Sequence, residues 1–174
     1  PRRRKSSEAG RHQPPPFTSS GVPFVFVQHV IAGHISLVGT KFISRETYND
    51  LNARCPVEPG DVLYTAVGSY GMAVPVATTA PFSFQRHIAH IKPVPLVHQG
   101  YLVHCLNSPW CRGQAHRVAK GVAQKTVTLG DLSRFTVPLP PEAEQCRIAN
   151  EVDRRLSVLD KLADEVKRSL IRSD

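Results

Sequence analysis

The 174-residue chain lacks the signatures of most catalytic and membrane proteins. No run reaches the about eighteen apolar residues of a membrane span, and no signal-peptide core is present, so a soluble, cytoplasmic protein is expected. There is no Cys-x-x-Cys. The four cysteines, Cys55, Cys105, Cys111 and Cys146, are scattered without a disulfide framework, which fits free or buried thiols in a reducing compartment. Cys105, Cys111, His116 and neighbouring His104 carry zinc-type ligands at loose spacing; ordinary helical residues are the expected reading, and no metal or cofactor is expected. A Gly-x-x-x-x-Gly-Lys phosphate loop is absent, as is a glycine-rich strand-to-helix turn for a methyl donor. Glu46 with Asp50 and Glu58 with Asp61 are isolated acidic pairs, without the following lysine of a nuclease site.

What is present is a core-forming composition, 41% hydrophobic, with a net charge of +8 that points to an anionic partner. Residues 1–16 carry Arg2, Arg3, Arg4, Lys5 and Arg11 against Glu8, so half the excess lies in a Ser-, Gly- and Pro-containing tail. Such an arm tracks phosphates without reading sequence; a linker or cloning remnant is the alternative.

Between Glu142 and Arg172 there is neither Gly nor Pro. Ile148, Val152, Leu156, Leu159, Leu162, Val166 and Leu170 form one apolar stripe, and Val152, Leu159 and Val166 repeat at heptad spacing. Pro141 before Glu142 and Glu144 is a helix start with acid in the first turn. The spacing predicts a helix of about 45 Å at 1.5 Å per residue that packs through Ile148, Val152, Leu156, Leu159 and Val166 against another long helix. Folding back on its own domain is the alternative.

Upstream, strands are predicted over residues 22–27, 33–38, 61–65, 72–77, 82–84 and 87–92, with a short helix from Ser44 to Asn52. Helices are predicted over 100–107 and 110–119, and extended chain over 126–128 and 135–137. The order gives an α+β class: a mixed, mainly antiparallel curved-sheet domain followed by one long coiled-coil-type C-terminal helix. The expected boundaries are a flexible basic tail over 1–16, a domain over 17–140 and a helix over 141–174.

Particular blocks carry a family resemblance. Pro138, Pro140 and Pro141 lead into Glu142-x-x-Gln145-x-Arg147-Ile148 and the long helix. Before them stand Gly21-Val22-Pro23-Phe24-Val25-Phe26-Val27 with Gly33-His34-Ile35, and Phe42-Ile43-Ser44 with Glu46, Tyr48 and Leu51 as a first short helix. Then come Pro59-Gly60-Asp61-Val62-Leu63-Tyr64-Thr65 with Val67-Gly68-Ser69-Tyr70-Gly71, Gln85-Arg86-His87-Ile88 with Ile91-Lys92-Pro93, and Tyr101-Leu102 with Leu106-Asn107-Ser108. In this order they resemble one half-repeat, a target-recognition domain plus one spacer helix, of the specificity subunit of prokaryotic type I restriction-modification systems. The match runs from about Gly21 to Leu170, and there is no internal repeat.

The resemblance implies a non-catalytic subunit that binds double-stranded DNA at one part of a bipartite site. Its partners would be methyltransferase subunits and, through them, restriction subunits. As a natural half-subunit it would form a homodimer through the C-terminal helix and read an inverted repeat; as a fragment, the helix would pack on the missing half. Two alternatives remain: the recognition end of a fused methyltransferase-nuclease, and an oligomerisation protein that binds nucleic acid without sequence preference.

The expected DNA-binding residues lie on loops and strand ends. Ser69 and Tyr70 sit in a glycine turn suited to phosphate approach, with a simple φ > 0 turn as the alternative. Lys120 and Lys125 can take phosphates, Gln124 can read the N6 and N7 edge of adenine, and Gly121 is expected to supply mobility. Lys41, Arg45, Arg86 and His87 complete the set by charge and position. Trp110 is expected in the core or as a helix-start staple. Asn107-Ser108-Pro109-Trp110 is superficially similar to the Asn-Pro-Pro-aromatic motif of amino-methyltransferases, but Ser stands at its second position.

Overall fold

The computed structural model describes residues 14–31 and 33–173, so most of the expected basic tail lies outside the described residues. The chain opens with β1 (Val22–Val25), a 3₁₀ turn (Val27–His29), β2 (Val30–Ile31), β3 (His34–Ile35) and β4 (Lys41–Ile43). After α1 (Arg45–Asn52) come β5 (Val62–Thr65), β6 (Ala73–Pro75), β7 (Ser83–Phe84) and β8 (Ile88–Ile91). Helices α2 (Gln99–Asn107), α3 (Pro109–Val118), α4 (Leu129–Leu132) and α5 (Glu142–Ser173) follow. This is the α+β arrangement with one long C-terminal helix. The strands form three small sheets, ordered β4-β1-β7, β2-β3 and β6-β5-β8, with antiparallel pairing throughout except between β1 and β7.

β5 is the centre of the domain, and all four of its residues are buried. Alternation sends Leu63 into one core with Val25, Val74, Phe82 and Ile88, and Val62 and Tyr64 into a second core with Val103 and Leu106 of α2. A strand buried on both faces therefore reads as a continuous apolar run. Each fully buried aliphatic side chain there contributes about 1.5–3 kcal/mol relative to exposure.

Local chemistry sets the boundaries. The Ser44 hydroxyl accepts from the Thr47 amide at 3.1 Å and starts α1, as expected from sequence. Residues Phe42 and Ile43, grouped with that helix by resemblance, instead pair with β1 as part of β4. Ser108 closes α2 and opens α3: its hydroxyl donates to the Cys105 carbonyl at 2.6 Å and accepts from the Cys111 amide at 3.4 Å, with Pro109 in the first turn of α3. The four-residue helix α4 falls between the extended segments expected at 126–128 and 135–137. Neither segment forms a strand; 126 makes isolated bridges and 135–137 is held by side chains instead.

The proline-rich junction is docked on the domain. The Tyr101 hydroxyl donates to the Pro138 carbonyl at 2.9 Å, and Gln114 both donates to the Thr136 carbonyl and accepts from its amide, each at 2.9 Å. Trp110 is not in the core: it is 62% exposed, and its indole N–H donates to the Thr136 carbonyl at 3.0 Å. Gln145, buried in the first turns of α5, accepts from the His98 amide at 2.9 Å and donates to the carbonyls of Leu96 and Pro140 at 3.0 and 2.9 Å. α5, about 48 Å long at 1.5 Å per residue, thus leaves the domain in a fixed direction.

Candidate nucleic-acid interface

The three-stranded sheet β4-β1-β7 ends in an aromatic floor. Phe24 lies edge-on to Phe17 at 5.6 Å and to Phe26 at 5.3 Å between ring centroids. Lys41, the first residue of β4, places its ammonium 4.8 Å from the centre of the Phe17 ring, so the cation is held over an aromatic face. Across a cleft of about 530 Å³ stand Gln85, Arg86 and His87 from the loop between β7 and β8. Three of the expected DNA-binding residues, Lys41, Arg86 and His87, are thereby brought together.

A second cleft of about 600 Å³ continues from the first, sharing Phe26, Gln85 and His87. Its far wall is Gln28, Gly68, Ser69 and Gln124. The turn at 67–71 and the loop at 120–126 are tied to each other: the Gly68 amide donates to the Lys125 carbonyl at 3.0 Å, and the Val127 amide to the Ala66 carbonyl at 2.8 Å. Lys120 and Thr126 exchange both backbone hydrogen bonds, at 3.0 and 2.8 Å, closing the loop at its base. Lys120, Val122, Gln124 and Lys125 are exposed on this projection, Val122 completely.

Several expectations change in the detail. Gly121 has a steric role. Its φ is +120°, and a Cβ there would stand 2.3 Å from the Gln124 carbonyl oxygen, so glycine is required to close the loop. Gly68 and Gly71 also take positive φ, but their amides donate to the Lys125 and Thr65 carbonyls at 3.0 Å each, which leaves the Ser69 hydroxyl as the outward donor of that turn. Tyr70 turns away to meet Nδ1 of His116 at 2.8 Å, and its ring packs edge-on to that imidazole. Arg45 lies over the Tyr48 ring at 5.3 Å at the start of α1, outside the lining of both clefts. Gln28 and Gln85, amide side chains able to read base edges, were not among the expected DNA-binding residues, although Gln85 opens one of the resemblance blocks; a lone Gln gives no charge pattern to find.

Residues that looked catalytic on paper have other roles. Asn107 accepts from the Ala73 amide and donates to the Ala73 carbonyl, both at 2.8 Å, completing the edge of β6 as a strand would. His104 meets Asp153 at 2.8 Å while His116 meets Tyr70, so the two histidines of the loose cysteine-histidine pattern engage different partners. Among the described residues no cluster of three or more His, Cys, Asp or Glu is arranged for a metal ion, and no helix is long and apolar enough to cross a membrane. Glu58 and Asp61 do meet a lysine: Lys92 reaches them at 2.8 and 3.0 Å. Asp61 is buried, which raises its pKa, but donors from the Glu58 amide, His90 and Lys92 outweigh that and hold the carboxyl below its ordinary value.

The predicted helix-packing residues divide into two groups. Ile148 and Val152 are half-buried and line an apolar hollow with Tyr101, Cys105, Trp110 and Cys111. Leu156, Leu159 and Val166 are 46%, 59% and 60% exposed, in line with exposed Leu162 and Leu170. Glu151 accepts from Arg154 and Arg155 at 2.8 and 2.6 Å on the wet face, and these two donors hold its carboxyl down at about 2.

Fold and clefts define a class of molecule: a compact α+β domain with a cation-bearing, aromatic-floored cleft, carried at one end of a long helix. No family model matches the chain. The specificity subunit of the type I restriction enzyme EcoBI from Escherichia coli is 30% identical over 162 residues, covering 92% of this chain and 34% of that subunit. A chain from a structure of the type I R-M system that treats complex assembly and conformational transition superposes with a TM-score of 0.65 at 21% identity, covering 92% of this chain and 39% of the other. The HsdS subunit from Thermoanaerobacter tengcongensis superposes with a TM-score of 0.58 at 22% identity, covering 84% and 33%. The resemblance read from sequence is borne out: over 92% of its length the chain is similar to a type I specificity subunit, and its fold is that of the two solved chains. It spans about a third of the length of the curated relative it matches.

Proposed function

We propose that the chain is a sequence-specific, non-catalytic DNA-recognition part of a type I restriction-modification complex. The domain over 17–140 reads one part of a bipartite site in double-stranded DNA, and the helix over 141–174 is the spacer that brings methyltransferase subunits, and through them restriction subunits, to it. The observation that carries this reading is the pair of continuous clefts. They gather Lys41, Arg86, His87 and Ser69 with Gln124, which stands on the closed loop that also bears Lys120 and Lys125, in a chain similar to a specificity subunit over 92% of its length.

The chemistry divides by residue. Lys41, Ser69, Lys120 and Lys125 are suited to phosphates and set orientation; Arg86, His87, Gln124 and the neighbouring Gln28 and Gln85 are suited to base edges. The outer stripe of α5 fits an equivalent helix, either in a second copy or in the remainder of a longer subunit.

Selection of binding duplexes from a random pool tests the reading. A recurrent motif is expected, which Arg86→Ala relaxes at one position by about 1–3 kcal/mol. Lys125→Ala is expected to weaken all duplexes alike and reduce the salt dependence. Binding without an enriched motif would instead establish the sequence-blind alternative.

A further inference from the structure

A second site lies outside the clefts, built on the first turn after α1 and the strands β5 and β8. Cys55 is exposed, and its Sγ stands 3.5 Å from Nδ1 of His90. The opposite ring nitrogen, Nε2, meets Oδ2 of Asp61 at 2.6 Å. That carboxylate, buried and held charged by the Glu58 amide and by Lys92 at 3.0 Å, assigns the proton to Nε2 and turns the Nδ1 lone pair toward the thiol. The His90 ring is fixed further by Phe84, edge-on at 5.8 Å between centroids. Thiol, imidazole and carboxylate are therefore in line, with the thiol at the solvent end. This is the order in which a cysteine is activated: a base in hydrogen-bond reach, itself oriented by a third group.

The other three cysteines lack this arrangement. Burial raises the thiols of Cys105 and Cys111, and Cys105 gains only a Tyr101 contact in partial compensation. Cys146 is half-buried on α5. None of the DNA-facing residues belongs to the Cys55 group, so nothing in the proposed recognition chemistry uses it.

We propose that Cys55 is a thiol-modification site, activated by His90 with Asp61 as the positioning residue, that takes small disulfides. The Cys55 proton passes to Nδ1 of His90, where the Asp61 carboxylate balances the imidazolium charge. The sulfur attacks one sulfur of a disulfide R–S–S–R, a new Sγ–S bond forms, the S–S bond breaks, and RS⁻ leaves. Cys55 is oxidised to a mixed disulfide while the other half of the reagent is reduced to thiol, so the disulfide itself is the oxidant. The Asp61 carboxylate that meets His90 is itself paired with Lys92, which also meets Glu58.

The test is the rate of glutathionylation of each cysteine in the full chain treated with oxidised glutathione, read by peptide mass spectrometry. Cys55 is expected to react at least about tenfold faster than Cys146, and His90→Gln, which keeps an amide donor for Asp61 but no base for the thiol, is expected to remove the difference. Equal rates for Cys55 and Cys146, or an unchanged Cys55 rate in a folded His90→Gln protein, would overturn the proposal. Buried Cys111 reports folding, because its labelling marks a loosened variant. In that event the wild-type rates decide: Cys55 at least about tenfold faster than Cys146 supports the site, and equal rates defeat it.

Discussion

The two ends of α5 belong to one helix and one apolar pattern, yet they have opposite surroundings. In its first turns Gln145 and Ala149 are each 1% exposed, and Ile148 and Val152 lie against α2 and α3. From Leu156 onward the same stripe faces outward, with Leu159 at 59% and Val166 at 60%. Burial at the near end is completed by the domain itself, down to the backbone groups that Gln145 satisfies. Exposure at the far end leaves a row of apolar side chains that only another surface can cover. Folding of the domain and function of the rod are therefore separable, and three substitutions address that separation in decreasing order of effect on the domain.

Gln145→Ala breaks the attachment itself. It strands the His98 amide, which heads α2, and the carbonyls of Leu96 and Pro140, all three of which the buried Gln145 side chain satisfies. The expected loss is about 3 kcal/mol in urea denaturation, with faster amide exchange at the start of α2. A loss below about 1 kcal/mol would mean that the domain holds its fold without gripping the helix.

Asp61→Asn tests the interior of the domain, at the residue that precedes β5. The substituted carboxamide can still accept from the Glu58 amide but lacks the charge that faces His90 and Lys92, at an expected cost of about 2 kcal/mol. The pH dependence follows from the depressed carboxyl. Stability from a lowered folded pKa is fully present above the ordinary value of 3.8 and is lost as pH falls from there through the folded value. Wild type is thus expected to lose stability on acidification below about pH 4 by an increment that Asp61→Asn lacks, measured as the difference between their denaturation midpoints.

How much of this was legible in the sequence differs between the same two regions. The helix was readable almost to the residue, because an uninterrupted 3.6-residue pattern with a proline start needs no tertiary information. The Ser44 cap and the β5 run were equally local signals. The single curved sheet resolved into three short ones, because pairing depends on contacts such as Asn107 on β6 that no periodicity encodes. Within the candidate interface, Lys41, Arg86 and His87 were visible as charge at strand ends, whereas Gln28 and Gln85 were not, since a neutral amide acquires meaning only through what it faces. Trp110 was misplaced for a related reason: an indole normally buried is here spread on the surface by one hydrogen bond to the junction. Gly121 was read for freedom, whereas its steric role beside the Gln124 carbonyl shows only once its φ and surroundings are known.

Leu159→Asp is the smallest change for the domain and the most consequential for the rod. Leu159 is exposed and lies beyond the stretch of α5 that contacts α2, so the urea midpoint of the domain is expected to move by no more than about 0.5 kcal/mol. In an assembly through the outer stripe the same carboxylate would enter the middle of an apolar seam. An unpaired charge there costs several kcal/mol, enough to abolish association at micromolar concentration. Light scattering of the chain alone, and with methyltransferase subunits, distinguishes the cases: lost association with an unmoved midpoint establishes that the far end is covered by a partner. Unchanged association would remove the rod from the assembly surface and leave its exposed stripe without the role proposed for it.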